Sequence, residues 1–335
     1  MRAAVLQEQE QMACKELSTP LPGPGEVVIR VRNCGICGTD QHIYHGHPGS
    51  AEVHPPIVLG HELAGEVTGL GEGVDTLAIG DRVTIDPNIY CGSCEYCRSG
   101  RLHLCDNLQA VGVTRDGGMG EFCAVPAENC YPIPDTMSFE EAALIEPLGC
   151  VLHGFRKLKI RPQDHVLIVG GGFIGQIFLQ LVRAEAVSRI TVSDPAVFKH
   201  DTLRKLGADE VVSPLDPGTV DALASSADVV IECVGRKDSV EMAVRAARKG
   251  GQILLFGVAA PDAEVSIRPF DIFSKELSIM GSFINPFTHA EAIALVSQGR
   301  IQLEPLVSHR FTLDDLPQAM RDYPKLGVSK GMIQL

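Results

Sequence analysis

The sequence predicts an α/β protein built from a β-rich part and a doubly wound parallel sheet. Three observations carry that prediction. The stretch "HVLIVGGGFIGQIFLQLVRAEA" joins an apolar strand to a helix through a run of glycines. An alternation of apolar strands and helical segments follows it, as a doubly wound sheet requires. The chain is 335 residues long with 45% hydrophobic residues, enough for about two domains at ~150 residues each.

The first residues, "MRAAVLQEQEQ", hold one short apolar run and then glutamine and glutamate. That is not the pattern of a secretory leader, and no window approaches the ~18 apolar residues of a membrane span. A cytoplasmic location is expected. In a reducing compartment, eleven cysteines read as metal ligands and buried thiols rather than a disulfide framework. A net charge of −13 repels phosphate backbones and anionic lipid. Aromatic content of 5% without tryptophan argues against stacking platforms for single strands. The expected partner is a small molecule, with no nucleic acid and no membrane.

Two stretches follow, "NCGICGTDQHIYHG" from Asn33 and "PPIVLGHELAGEV" from Pro55. Cys37, His61 and Glu62 offer one soft, one borderline and one hard ligand, a mixture suited to catalytic zinc, where three protein ligands leave a position open. Gly60 and Gly65 with the apolar residues after them put His61 and Glu62 at the start of a strand near a tight turn. Cys91, Cys94, Cys97 and Cys105 then follow as Cys-x2-Cys-x2-Cys-x7-Cys. Short spacers turn successive thiolates toward one point and the longer loop brings in the fourth, as a closed structural zinc site needs. Such a site has no open position and does no chemistry itself.

In the central stretch the strand His165 to Val169 leads into Gly170-x-Gly172-x-x-Gly175 and a helix with apolar Phe173, Ile174, Ile177, Phe178 and Leu181. These glycines allow a tight turn, the approach of a pyrophosphate and close helix packing. The next strand, "ITVSD", ends in Asp194, about 20 residues on, where a carboxylate holds both ribose hydroxyls of NAD and repels the 2′-phosphate of NADP. Strands at Val229 to Ile231 and Ile253 to Phe256 read as buried on both faces. Val234 and Val258 join Gly170, Gly172, Phe173, Ile174, Gly175 and Asp194 in the expected coenzyme set. The dinucleotide domain runs from about Val151 to Ile284, between a β-rich N-terminal part and a C-terminal return.

The order of Cys37, "GHELAG", the four-cysteine lobe, "EPLG" and "GGGFIG" resembles the zinc-dependent medium-chain dehydrogenases over essentially the whole chain. It most resembles their polyol (sorbitol-like) and threonine dehydrogenase branch, because "IEPLG" places Glu146 where the alcohol enzymes carry a cysteine. The resemblance implies a GroES-like catalytic domain at 1–150 and 285–335 around a Rossmann NAD domain at 151–284. It implies two zinc ions per chain. The catalytic one is surrounded by Cys37, His61, Glu62 and Glu146, the two glutamates exchanging between direct ligation and contact through water. The structural one is held by Cys91, Cys94, Cys97 and Cys105. It further implies Thr39 and His42 as a proton relay, and a homodimer or homotetramer.

The chemistry of these residues agrees with those roles. A Lewis-acid metal lowers the pKa of a substrate hydroxyl. Thr39 is near enough to Cys37 to take the proton, and His42, an imidazole with an ordinary pKa of ~6.5, passes it to solvent. Cys150, four residues after Glu146, reads as packing. Ile284 and Asn285 stand where polyol enzymes often carry an Arg-Tyr pair, which argues against sorbitol itself. The expected reaction is oxidation of a secondary alcohol of a polyol, sugar alcohol or sugar acid to a ketone with NAD. L-Threonine or a simple secondary alcohol or diol is the alternative substrate. A zinc-free NADPH reductase and a zinc-ribbon binding module with a nucleotide-sensing domain are the competing classes; acidity and the Cys37/His61/Glu62 set count against the latter.

Overall fold

The computed structural model describes residues Met1–Leu335 and divides into two compact units, Met1–Gly149 with Ile284–Leu335, and Cys150–Phe283. No helix is long and apolar enough to cross a membrane.

The first unit is mainly antiparallel β-structure. In its long strand Glu26–Ile36, Val27, Val28, Ile29 and Val31 are buried and Arg30 is exposed, so one face is covered throughout and the other in part. In its sheet the order is Cys130–Pro132, Arg82–Ile85, Glu62–Leu70, Glu26–Ile36, Gly331–Gln334 and His309–Phe311, with Phe122–Pro126 also paired to Glu26–Ile36. Leu6, Ile29, Ile36, Leu59, Leu63, Ile85 and Met119 form its buried centre, each stabilising the fold by about 1.5–3 kcal/mol.

Register in this sheet decides where the chemistry lies. Gly35 pairs with Glu62, and Ile36 pairs with Gly331. Three chain segments therefore end side by side. A Cβ on Gly35 would fall 1.9 Å from Glu62 Oε2, so only glycine leaves that carboxylate its place.

The second unit holds six parallel strands in the order Glu210–Val212, Arg189–Ser193, His165–Val169, Ala227–Glu232, Ala247–Leu255 and Ser278–Gly281. Numbered along the chain this is 3-2-1-4-5-6, the doubly wound order whose crevice opens between the first and fourth strands. Val229, Val230, Ile231, Ile253 and Leu254 are fully buried, as expected for strands covered on both faces. The helix Phe173–Ala184 packs on this sheet through Phe173, Ile177, Phe178, Leu181 and Val182. A helix at Pro269–Lys275 had no counterpart in the sequence reading, because its exposed Phe270 and Phe273 break the usual polar-outside pattern.

Candidate active site and zinc centres

Cys37 ends the Glu26–Ile36 strand and caps the short helix Gly38–Tyr44. Its backbone N–H donates to Asp40 Oδ2 at 2.8 Å, satisfying one orphan donor of the helix start. His61 and Glu62 arrive on the neighbouring strand. The ligand atoms of Cys37, His61 and Glu62 all lie within 4.8 Å of one another. His61 and Glu62 are buried, and Glu62 Oε1 has no hydrogen-bond partner. A buried carboxylate oxygen left without a donor is costly unless a cation meets it. With one thiol, one imidazole and one carboxylate converging, the residues fit zinc.

Two further residues complete this cluster, and the sequence reading missed both. Asp40 is fully buried with its Oδ1 3.5 Å from His61 Nδ1, the position of a carboxylate that fixes the ring of a metal-binding histidine. Burial opposes charge on His61, yet Asp40 and then Cys37 hold its pKa well above the ordinary imidazole value. Lys330 lies buried against Glu62 as an ion pair, and its Nζ donates to Ile36 O at 3.2 Å. Burial disfavours its charge, but Glu62 and Cys37 raise its pKa. Asp40 left a signal, since a carboxylate three residues after Cys37 has capping-box spacing. Lys330 left none.

Thr39 and His42 share the Gly38–Tyr44 helix, one turn apart and half-buried. Burial lowers the pKa of His42, and His47 and His45 lower it further. The neutral, proton-accepting ring is therefore favoured.

Glu146 lies in the first turn of the helix Ile145–Phe155 and is buried. It stands outside the compact ligand group, and its Oε1 accepts from Asn285 Nδ2 at 2.7 Å. Asn285 is fully buried, so the residue noted in the sequence as replacing an Arg-Tyr pair has a specific partner.

In the cysteine lobe the four sulfurs of Cys91, Cys94, Cys97 and Cys105 lie within 4.8 Å of one another. Backbone amides point at them: Cys94 N to Cys91 Sγ, Cys97 N to Cys94 Sγ and Cys91 N to Cys105 Sγ, each 3.4 Å. Amides of Ser93 and Cys94 and the Ser93 hydroxyl bring the Cys91 pKa down to about 5. Burial and the neighbouring Cys94 push Cys97 up to about 12. Thiolates that form easily but resist forming together suit a dication between them.

In the second unit, a Cβ at Gly175 would sit 1.9 Å from Gly170 O, whereas at Gly172 it would meet nothing within 4 Å. One glycine secures tight packing and the other leaves the space a pyrophosphate needs at the helix N-terminus. Asp194 follows the second strand and is buried, its Oδ2 accepting from Gly171 N and its Oδ1 from Ala196 N, both at 2.8 Å. Lys199 Nζ is 3.8 Å from Asp194 Oδ2. Val234 and Val258 are exposed. Buried Glu232, also missed, accepts from Val234 N at 2.7 Å and Gly235 N at 2.9 Å, holding the turn that presents Val234. Phe173 and Ile174 open the fingerprint helix.

Comparison with known proteins agrees with this geometry. The family model "Alcohol dehydrogenase GroES-like domain" matches residues 23–135, and "Zinc-binding dehydrogenase" matches 174–298. An L-threonine 3-dehydrogenase of Pyrococcus horikoshii is 33% identical over 304 residues, 88% of this chain and 87% of its own. A sorbitol dehydrogenase of Bacillus subtilis is 30% identical over 96% of this chain and 92% of its own. Among solved structures, a zinc-binding dehydrogenase from Sinorhizobium meliloti bound to NADP superposes with a TM-score of 0.95 at 37% identity, over 100% of this chain and 99% of that one. With both family models matched in order and such relatives covering nearly its full length, the chain belongs to the zinc-dependent medium-chain alcohol dehydrogenase family.

Proposed function

We propose that the enzyme oxidises a secondary alcohol of a polyol, sugar alcohol or related sugar acid to a ketone, with NAD as hydride acceptor. The observation that carries this reading is the convergence of Cys37, His61 and Glu62 beside a helix that carries Thr39 and His42. Residues 1–150 and 285–335 form the catalytic part and residues 151–284 the coenzyme part.

Cys37, His61 and Glu62 hold the catalytic zinc, with Glu146 in reserve; Cys91, Cys94, Cys97 and Cys105 hold the structural one. Zinc, when bound, supplies the Lewis acidity that makes an alcohol proton easy to remove near neutral pH. Asp40 orients His61 through its Nδ1 side, and Lys330 balances the charge of Glu62. The Thr39 hydroxyl takes the proton of the substrate and His42 passes it outward. Gly170, Gly172, Phe173, Ile174 and Gly175 receive the pyrophosphate, Asp194 the adenosine ribose, and Val234 and Val258 line the coenzyme groove. The carboxylate of Asp194 favours NAD over NADP, because a 2′-phosphate would meet a negative charge.

The name of the sorbitol dehydrogenase supports the polyol reading, and that of the L-threonine 3-dehydrogenase supports the alternative. We place the enzyme in the cytoplasm, on the strength of its many free thiols. A homodimer or homotetramer is supported by the edge strand Ser278–Gly281 and by exposed Phe270 and Phe273 on the helix before it.

The test is a panel of polyols, sugar acids, amino alcohols and simple secondary alcohols, followed by NADH absorbance and run in parallel with NADP. Turnover of a polyol or sugar acid with NAD is the expected result. Preference for threonine or a simple diol would move the substrate to that alternative, and preference for NADP would overturn the role given to Asp194.

A further inference from the structure

Glu232 ends the fourth strand of the parallel sheet and is 0% exposed. Its Oε1 takes the amides of Val234 and Gly235, at 2.7 and 2.9 Å, while Oε2 has no hydrogen-bond partner. Its backbone oxygen accepts from Phe256 N and Gly257 N, both at 2.9 Å. A Cβ on Gly257 would fall 2.1 Å from Gly235 N, and one on Gly235 would fall 2.5 Å from Val258 O. The turns after the fourth and fifth strands therefore lie against each other around this one residue.

One oxygen is enough to hold a turn. The other leaves a half-satisfied carboxylate inside the protein, a costly arrangement that stability alone does not call for. The basic residues that follow, Arg236 and Lys237, are exposed and pair with Asp238 and Glu241 instead. Burial and then Glu232 raise the Cys233 pKa, so the adjacent thiol adds no charge of its own.

The place of Glu232 in the sheet decides what its charge faces. It is in register with Val169, the residue before Gly170, and Cys233 N donates to Val169 O at 2.8 Å. The glycine fingerprint follows the first strand and Asp194 the second, so the adenosine half of a dinucleotide belongs to that side of the crevice. A doubly wound sheet takes the other half across the crevice, over the fourth and fifth strands, which end in Glu232 and just before Val258. That half carries the nicotinamide. Its ring is a cation in NAD and neutral in NADH, whereas the pyrophosphate is the same in both. Repulsion between Glu232 and the pyrophosphate weakens the two forms alike, and only the charge of the ring tells them apart.

We infer that Glu232 sets which oxidation state of the coenzyme the enzyme prefers, its buried negative charge favouring the cationic ring of NAD over the neutral ring of NADH. The inference rests on the coenzyme reading of the second unit. In the proposed direction of reaction, the same charge holds the oxidised coenzyme and loosens the reduced product.

The experiment measures dissociation constants on the full-length zinc-loaded enzyme, for NADH by its fluorescence and for NAD by competition against NADH. Glu232→Gln keeps an oxygen for the Val234 and Gly235 amides and removes the charge. It should move the ratio of the two constants about 10-fold in favour of NADH, the scale of one uncompensated charge near another in a protein interior. Glu232→Asp keeps the charge on a shorter side chain, so both forms should bind more weakly with their ratio preserved. If Glu232→Gln does not fold, Glu232→Asn is compared with Glu232→Asp, a pair matched in length and differing by the same charge. An unchanged ratio on loss of the charge would overturn the inference. So would an equal change in Glu232→Asp, because a loosened turn would then account for it. Were the enzyme to bind NADP and NADPH instead, the role of Asp194 would fall, but the ring charges are the same and the ratio for that pair reads Glu232 directly. Failure of all four, and of ADP-ribose, to bind would overturn the coenzyme reading and the inference with it.

Discussion

The two metal centres differ in how far the chain travels to build them. The cysteine lobe is local, its four ligands lying between Cys91 and Cys105 and its amides pointing at its own sulfurs. The catalytic centre gathers a strand end, the start of a second strand and the residue before a third, and Lys330 reaches Ile36 across 294 positions of sequence. The lobe is closed and can only stabilise. The Cys37, His61 and Glu62 group offers three ligand atoms, which would leave a bound zinc one open position.

That contrast breaks most sharply at the ligands themselves. His61→Ala should lower turnover by at least ~1000-fold and zinc from two equivalents to one, while NADH still binds by fluorescence, because the glycine loop and Asp194 are untouched. Cys94→Ser should also remove one zinc, but its effect should appear as a melting temperature lower by roughly 5–10 °C, with activity retained in the cold. Identical losses of cold activity in the two variants would erase the distinction between a catalytic and a structural site.

The next test asks whether the catalytic centre depends on its distant segment. Lys330→Met leaves Glu62 buried beside no permanent cation, so kcat/KM should fall about 100-fold and metal-free protein should unfold at lower denaturant. Lys330→Arg should recover most of both. A Lys330→Met enzyme with normal kinetics would show that the ion pair plays no part in the site.

The smallest effect is expected at the relay. Burial and the neighbouring histidines lower the His42 pKa, so the neutral acceptor persists to lower pH than in an ordinary imidazole of ~6.5. The acid limb of kcat/KM should lie below that value. His42→Ala should keep both zinc ions, reduce turnover about 10-fold and move the limb upward. An unmoved pH profile would remove His42 from the relay.

What could be read from the sequence follows the same division between local and distant. The cysteine spacing and the glycine fingerprint are short, and each residue type there is demanded by one physical need. Doubly wound order was legible because buried parallel strands are continuous apolar runs. Asp40 stood inside a quoted stretch and could have been found from its spacing to Cys37. Lys330 was invisible, since a lone lysine is ordinarily solvated and only register or long-range packing buries it. Asn285 was noticed for what it replaced, and its contact with Glu146 needed three dimensions. The Pro269–Lys275 helix was missed because two phenylalanines face solvent on it.

The strand Gly331–Gln334, lying between Glu26–Ile36 and His309–Phe311, makes the catalytic unit discontinuous. Closing a long loop costs entropy that grows with the logarithm of its length, so this seam is among the most demanding contacts to form in the chain. Once formed, it acts as a clasp. If the four residues from Gly331 to Gln334 let go of the sheet, Lys330 leaves Glu62 with them. The glycine fingerprint and the cysteine lobe, each made from its own neighbourhood, keep their internal bonds. Loosening of this short strand would therefore weaken catalysis while the coenzyme fingerprint and the cysteine lobe stay intact.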